Sequence, residues 1–113
     1  MITIKVVLDE SGLLKSCDIL GHAGAGKRGN DIVCAAVSVL ARTALSVLSG
    51  RKGMIVRGGA PERGIIALET EAPEGAERDF LAAIGTFLVE GLHSVAGEYP
   101  ENCIMTVTKE RRN

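Results

Sequence analysis

The chain has 113 residues, 46% of them apolar and 24% charged, a composition that excludes disorder and fits one compact unit spanning 1–113. Its 13 Lys and Arg against 14 Asp and Glu leave a net charge of −1, so nothing in the overall charge favours a polyanion. Phe80, Phe87 and Tyr99 are the only aromatic residues, too few for a base-stacking platform, and no direct nucleic-acid partner is expected. No apolar run approaches the roughly 20 residues of a membrane span, and no signal-peptide core precedes the first strand. The expectation is a cytoplasmic protein with no membrane partner.

Ile2, Ile4, Val6 and Leu8 alternate with polar residues, which predicts a strand with one buried face. Asp9-Glu10-Ser11-Gly12 is turn chemistry, and Leu13 to Leu20 reads as the returning strand of a hairpin. After a glycine-dense loop, Asp31 to Ser49 takes a helical period, with Val33, Val37, Leu40, Ala44 and Leu48 on one face and Gly50 as the stop. Met54 to Arg57 and Gly64 to Glu71 read as two short strands joined by a Gly58-Gly59-Ala60-Pro61 turn. From about Gly75 to Ala96, Phe80, Ile84, Phe87, Leu88, Gly91, Leu92 and Val95 recur at helical steps, and Gly91 suits close packing against the layer beneath. Asn102 to Lys109 alternates again, with Cys103, Met105 and Val107 on one face. The order β-β-α-β-β-α-β predicts an α+β two-layer sandwich, a five-stranded mixed sheet with two helices on one face.

Three cysteines without an export signal do not read as a disulfide framework, and no C-x-x-C pair marks a metal or redox site. With only His22 and His93 to add, a metal centre is not expected. Cys17 and Cys103 read as buried strand residues, and His93 as a solvated helix residue.

Ten residues, Gly21 to Asn30, hold four of the chain's 14 glycines. Long glycine-rich loops between regular elements usually carry function. Gly24-Ala25-Gly26-Lys27-Arg28-Gly29 matches a dinucleotide fingerprint, but the strand before it belongs to a hairpin instead of a parallel βαβ unit. Gly21 to Lys27 matches the start of a P-loop, but Arg28 stands where a magnesium-binding Ser or Thr is needed. A phosphate-binding or ribosome-associated module without catalytic activity therefore stands as the alternative reading.

A histidine opens this loop and a cysteine follows it. With Asp31 or Asn30 as N-cap, Cys34 falls in the first turn of the helix, where backbone N–H groups and the helix dipole favour a thiolate. A helix N-terminus with a neighbouring imidazolium lowers a cysteine pKa from about 8.5 to roughly 3.5–7.5. That supplies a nucleophile at neutral pH, a base to return its proton, and N–H groups to receive an oxyanion. The plainer reading makes Cys34 a small core residue near the edge of the Val33–Val37 face. Ser38, one turn on, can hydrogen-bond near the thiol or simply bond its own helix.

Gly21-His22-Ala23, five further residues, then Gly29-Asn30-Asp31-Ile32-Val33-Cys34-Ala35-Ala36-Val37-Ser38 resembles the signature of the bacterial ribosomal-processing cysteine proteases. Chain length and element order agree with that family. The resemblance implies a dyad in which His22 is the general base and Cys34 the nucleophile. It assigns Gly21 and Gly29 to loop movement, and Asp31 and Ser38 to polar support. It further implies a homodimer without a cofactor that removes the N-terminal extension of large-subunit ribosomal protein twenty-seven, cutting after paired phenylalanines. The segment Gly24 to Arg28 offers no aromatic side chain to grip such a substrate.

Overall fold

The structure, a computed structural model, describes residues 1–21, 28–62 and 64–113, with the backbone alone for 28–31 and 62. Seven elements follow in the order β1 (Ile2–Leu8), β2 (Leu14–Gly21), α1 (Arg28–Ser49), β3 (Val56–Glu62), β4 (Ile65–Thr70), α2 (Ala76–Glu98) and β5 (Cys103–Lys109). The strands form one mixed sheet in the spatial order β3-β4-β2-β1-β5. Among the described residues only the β1–β5 pair is parallel. The predicted two-layer α+β architecture is the observed one.

Alternation in β1 does what a half-buried strand requires. Ile2, Ile4 and Val6 are at most 1% exposed, and the register sets Ile4 beside Ile19 and Met105, and Val6 beside Cys17 and Val107. These residues form the helix-facing side of the sheet. Asp9 closes the β1–β2 turn, its Oδ1 accepting the N–H groups of Ser11 at 2.8 Å and Leu13 at 3.0 Å. An Asp side chain that bonds the backbone ahead of it fixes a turn in this way.

Helix α1 lies over β3, β4 and β1, while α2 lies over β5 and β2. Val33, Val37, Ala44 and Leu48 of α1 are buried as the period predicts, and Ala41 joins them. The sheet-facing line of α2 is Leu81, Gly85, Leu88 and Leu92, so the predicted stripe is rotated. Gly85, which the period does not single out, meets the sheet: a Cβ there would lie 3.1 Å from Leu14 Cβ. Gly91 instead faces α1, where a Cβ would lie 3.0 Å from Leu40 Cδ2. Phe87 is not core at all; it is 72% exposed. The cause is that α2 is apolar on two sides, one toward the sheet and one toward the outer seam with α1.

Two further expectations need correction. Gly58-Gly59-Ala60-Pro61 is not a turn but lies inside β3, which runs to Glu62 and pairs antiparallel with β4. As the outermost strand β3 tolerates a proline, and its pairing with β4 is shifted between Gly59 and Glu62. The expectation that no apolar run nears membrane-span length also fails. By length and composition alone Ile32–Ser49 and Ala76–Glu98 both qualify, because each helix carries apolar residues beyond its sheet-facing side.

Candidate active site

Helix α1 begins at Arg28, three residues before the predicted start. Asn30 and Asp31 are therefore helical residues and not the N-cap, and Cys34 lies in the second turn. The four N–H groups that a helix leaves open belong to its first four residues, here 28–31, one turn ahead of Cys34. The dipole's influence falls off within that first turn, and Cys34 lies beyond it, not inside it as the sequence suggested.

Cys34 sits at the rim of the core. Its neighbours Val33 and Val37 are 0% and 1% exposed, whereas Cys34 retains 8%. Cys34 is thus buried with the core cluster, though less deeply than its neighbours on the helix. Ser38 follows one turn later on α1 and is half-buried. Gly29 belongs to the first turn of α1, and the side chain of Asp31 lies outside the described residues.

Gly21 ends β2 and is paired with Ile2 of β1. Its N–H donates to the carbonyl of Gly64, in the β3–β4 turn, at 2.8 Å. The Ile2 N–H donates to the carbonyl of Asn102, just before β5, also at 2.8 Å. Four chain segments thus meet at the end of the sheet where β2 stops. His22, the next residue, lies outside the described residues, as do Gly24, Gly26 and Lys27 of the phosphate-binding alternative. Ile2 and Gly64 are the site-end residues that the sequence reading missed. A lone glycine before a strand is the only hint of Gly64, and strand alternation marks Ile2 as core and nothing more.

The other cysteines stand apart from this end of α1 in role. Cys17 is 1% exposed on the helix-facing side of β2, between Val6 and Leu68 in register. Burial, with a smaller contribution from the Asp18 charge, pushes its thiol up to about 12. Burial also raises the Cys103 thiol above its ordinary value. Both stay protonated and unreactive near neutral pH, as the strand pattern predicts. His93 is exposed on α2.

The model of the family described as cysteine protease Prp matches residues 1–104. A search of curated protein sequences gives no match. Among solved structures, the essential ribosomal processing protease Prp from S. aureus, in complex with a substrate peptide, is similar with a TM-score of 0.78. It is 21% identical, and the likeness covers 95% of this chain and 99% of that one. A second S. aureus structure, with a covalently linked product peptide, gives a TM-score of 0.76 at 22% identity, over 95% of this chain and 99% of that one. SMU.848 from Streptococcus mutans gives 0.79 at 23% identity, over 97% and 96%. Identity at this level carries the fold, sheet and both helices included; the match to residues 1–104 carries the family. With a cysteine at the rim of the core and a histidine following the strand that leads toward it in the chain, the protein belongs to the Prp family of cysteine proteases.

Proposed function

We propose that this protease removes the N-terminal extension of large-subunit ribosomal protein twenty-seven, with Cys34 as nucleophile and His22 as its base. The observation that carries the reading is the rim position of Cys34 in the second turn of α1, six residues of chain separating that helix from the strand that ends before His22. The S. aureus relatives, whose complexes hold a substrate and a product peptide, support a peptide substrate here.

In the proposed reaction the Cys34 thiolate attacks the scissile carbonyl carbon, and the carbonyl electron pair moves onto oxygen. His22, protonated by the thiol's proton, then gives that proton to the departing amine as the C–N bond breaks. Water, deprotonated by His22, attacks the resulting thioester; the acyl C–S bond breaks, the acid product leaves and gives its remaining proton to solvent, and Cys34 is released as the thiolate beside the protonated His22. The open N–H groups of residues 28–31 are candidate donors to the oxyanion.

The proposal extends to location and assembly: a cytoplasmic enzyme, where a ribosomal substrate is made, acting as a homodimer. Support for the dimer comes from the outer seam between the helices. There Val39, Thr43, Val47, Ile84, Phe87 and their neighbours line an apolar groove of about 390 Å³. Val39, Val47 and Phe87 are 64%, 40% and 72% exposed, an unusual apolar surface for a chain alone.

A peptide spanning the junction between extension and mature ribosomal protein provides the test. Cys34→Ala abolishes cleavage, whereas Cys17→Ala and Cys103→Ala retain it per folded molecule. Undiminished turnover by Cys34→Ala would end this reading.

A further inference from the structure

Among the described residues β3 and β5 are the outermost strands, and they treat their outer edges in opposite ways. The β3 edge is blunted: Pro61 has no N–H to offer, and the pairing with β4 shifts between Gly59 and Glu62. Neither device occurs in β5. It holds no proline or glycine, has no charge before Lys109, and pairs with β1 over all 7 residues without a shift. We infer that the β5 edge is a contact surface for a second copy of this chain, which adds its own β5 antiparallel about a twofold axis at Thr106. The contact is separate from the helix groove of the proposed dimer and depends on neither catalytic residue.

The backbone decides which groups face outward. At one end of the β1–β5 ladder the Ile2 N–H donates to the Asn102 carbonyl at 2.8 Å. At the other the Glu110 N–H donates to the Leu8 carbonyl at 2.9 Å. Alternate residues of a strand bond a given neighbour, so the even-numbered residues of β5 are turned toward β1. The N–H and C=O groups of Met105, Val107 and Lys109 point the other way, where no described strand lies. With the axis at Thr106, Met105 stands opposite Val107 of the second copy, and each donates to and accepts from the other. Cys103 stands opposite Lys109. The Cys103 N–H already donates to the Tyr99 carbonyl at 3.1 Å, but its carbonyl is placed to accept from Lys109.

The side chains fit the same register. Ile104 is 50% exposed and Val107 45%, one on each side of the strand. On the helix side Val107 meets Met105 of the second copy; on the open side Ile104 meets Thr108, and Thr106 meets its own counterpart. Apolar and Thr–Thr pairs across strands stabilise a sheet. Just beyond the strand ends, Glu101 approaches Arg111 of the second copy, and the axis repeats this pairing of opposite charges. A register centred on any other residue leaves part of β5 without a mate. A seam one strand wide falls short of the roughly 1,200 Å² of a standard interface, so the contact forms in concentrated protein and dilute protein stays apart.

Single cysteines placed in Cys34→Ala protein test both contact and register. Thr106 and its counterpart form a pair not hydrogen-bonded to each other, with Cα atoms about 4.5 Å apart, within the reach of a disulfide. Mild oxidation of concentrated Thr106→Cys is therefore expected to yield a covalent dimer, with mass spectrometry locating the link between the two introduced cysteines. Thr108→Cys alone sets its sulfurs roughly 14 Å apart along the strand and is expected to link at least about tenfold more slowly. Mixing it with Ile104→Cys restores fast linking, because those two positions face each other. Val107→Pro removes an outward N–H and leaves the β1 ladder intact; added to Thr106→Cys, it is expected to slow linking about tenfold with little change in melting temperature. The register comparison needs no proline, so it decides the matter even where the proline chain fails to fold. Folded Thr106→Cys that forms no such link, or Thr108→Cys alone linking as fast, would overturn the inference.

Discussion

Burial protonates Cys17 so firmly that its thiol titrates near 12, and the two neighbouring strands leave it no route to solvent. Native protein treated with iodoacetamide at neutral pH is expected to carry label on Cys34, with Cys17 modified only after urea is added; mass spectrometry of the peptides reads the result. The same raised pKa couples folding to pH. The folded thiol keeps its proton while the unfolded one, near 9.0, releases it, so the contribution is complete below about 9 and is lost as pH rises toward 12. Each unit of pH in that window removes roughly 1.4 kcal/mol through this group, and Cys17→Ala removes that share of the slope in urea denaturation. The spacing of His22, Asp31, Cys34 and Ser38, from which Cys34 is proposed as the nucleophile, was legible in the sequence. The start of its helix was not. Asp31 is so good a capping residue that it masked a helix already begun at Arg28, which puts Cys34 in the second turn.

Among the elements, β3 shows how punctuation residues mislead. Gly58-Gly59-Ala60-Pro61 has the composition of a turn, yet an outer strand needs hydrogen bonds along one edge only and can accept all four. Gly58 is there because its neighbour comes too close for any side chain. At φ 140 it abuts the Ala67 carbonyl of β4, and a Cβ would overlap that oxygen. Gly58→Ala is expected to push β3 off β4 and lower the melting temperature by roughly 5–15 °C, which corresponds to about 2 kcal/mol in a domain this size. The strands with one wet face, β1 and β2, could be read almost to the residue, since alternation is enforced by the core on one side and water on the other. The faces of α2 could not. Ile84 and Phe87 satisfy the same period as Leu81, Leu88 and Leu92, and periodicity does not say which apolar side meets the sheet.

Across the whole molecule, that second apolar side is the surface on which the proposed dimer would form. The helices that flank it are 22 and 23 residues long, about 33 Å and 35 Å at 1.5 Å per residue. Phe87→Glu is expected to convert a dimer to a species of 11.8 kDa in sedimentation velocity. Because Phe87 is so exposed, folding of the separated chain is left intact. The far end of the sheet is closed by the C-terminal tail. Arg112 donates from Nε to Asp9 Oδ2 at 2.6 Å, from Nη1 to the Thr70 carbonyl at 2.5 Å and from Nη2 to the Leu14 carbonyl at 3.1 Å. Burial pushes the Asp9 carboxyl up, but this guanidinium and the N–H groups of Leu13 and Ser11 outweigh it and hold the pKa below the usual value. Stability from Asp9 is therefore present above about pH 4 and lost as pH falls through its depressed value. Arg112→Ala strands a carboxylate that is 2% exposed and is expected to cost on the order of 3 kcal/mol at neutral pH. The acid loss in that variant becomes shallower, since part of the cause of the depression is gone; thermal melts at two pH values measure both effects.

The parallel pairing of β1 with β5 has a consequence for biosynthesis. Ile2 takes its neighbour from Cys103 and Leu8 from Lys109, so the first strand to be made waits for the last. Until β5 has been made, one flank of β1 stays without its hydrogen-bonding mate, so the sheet is completed late in synthesis instead of growing strand by strand.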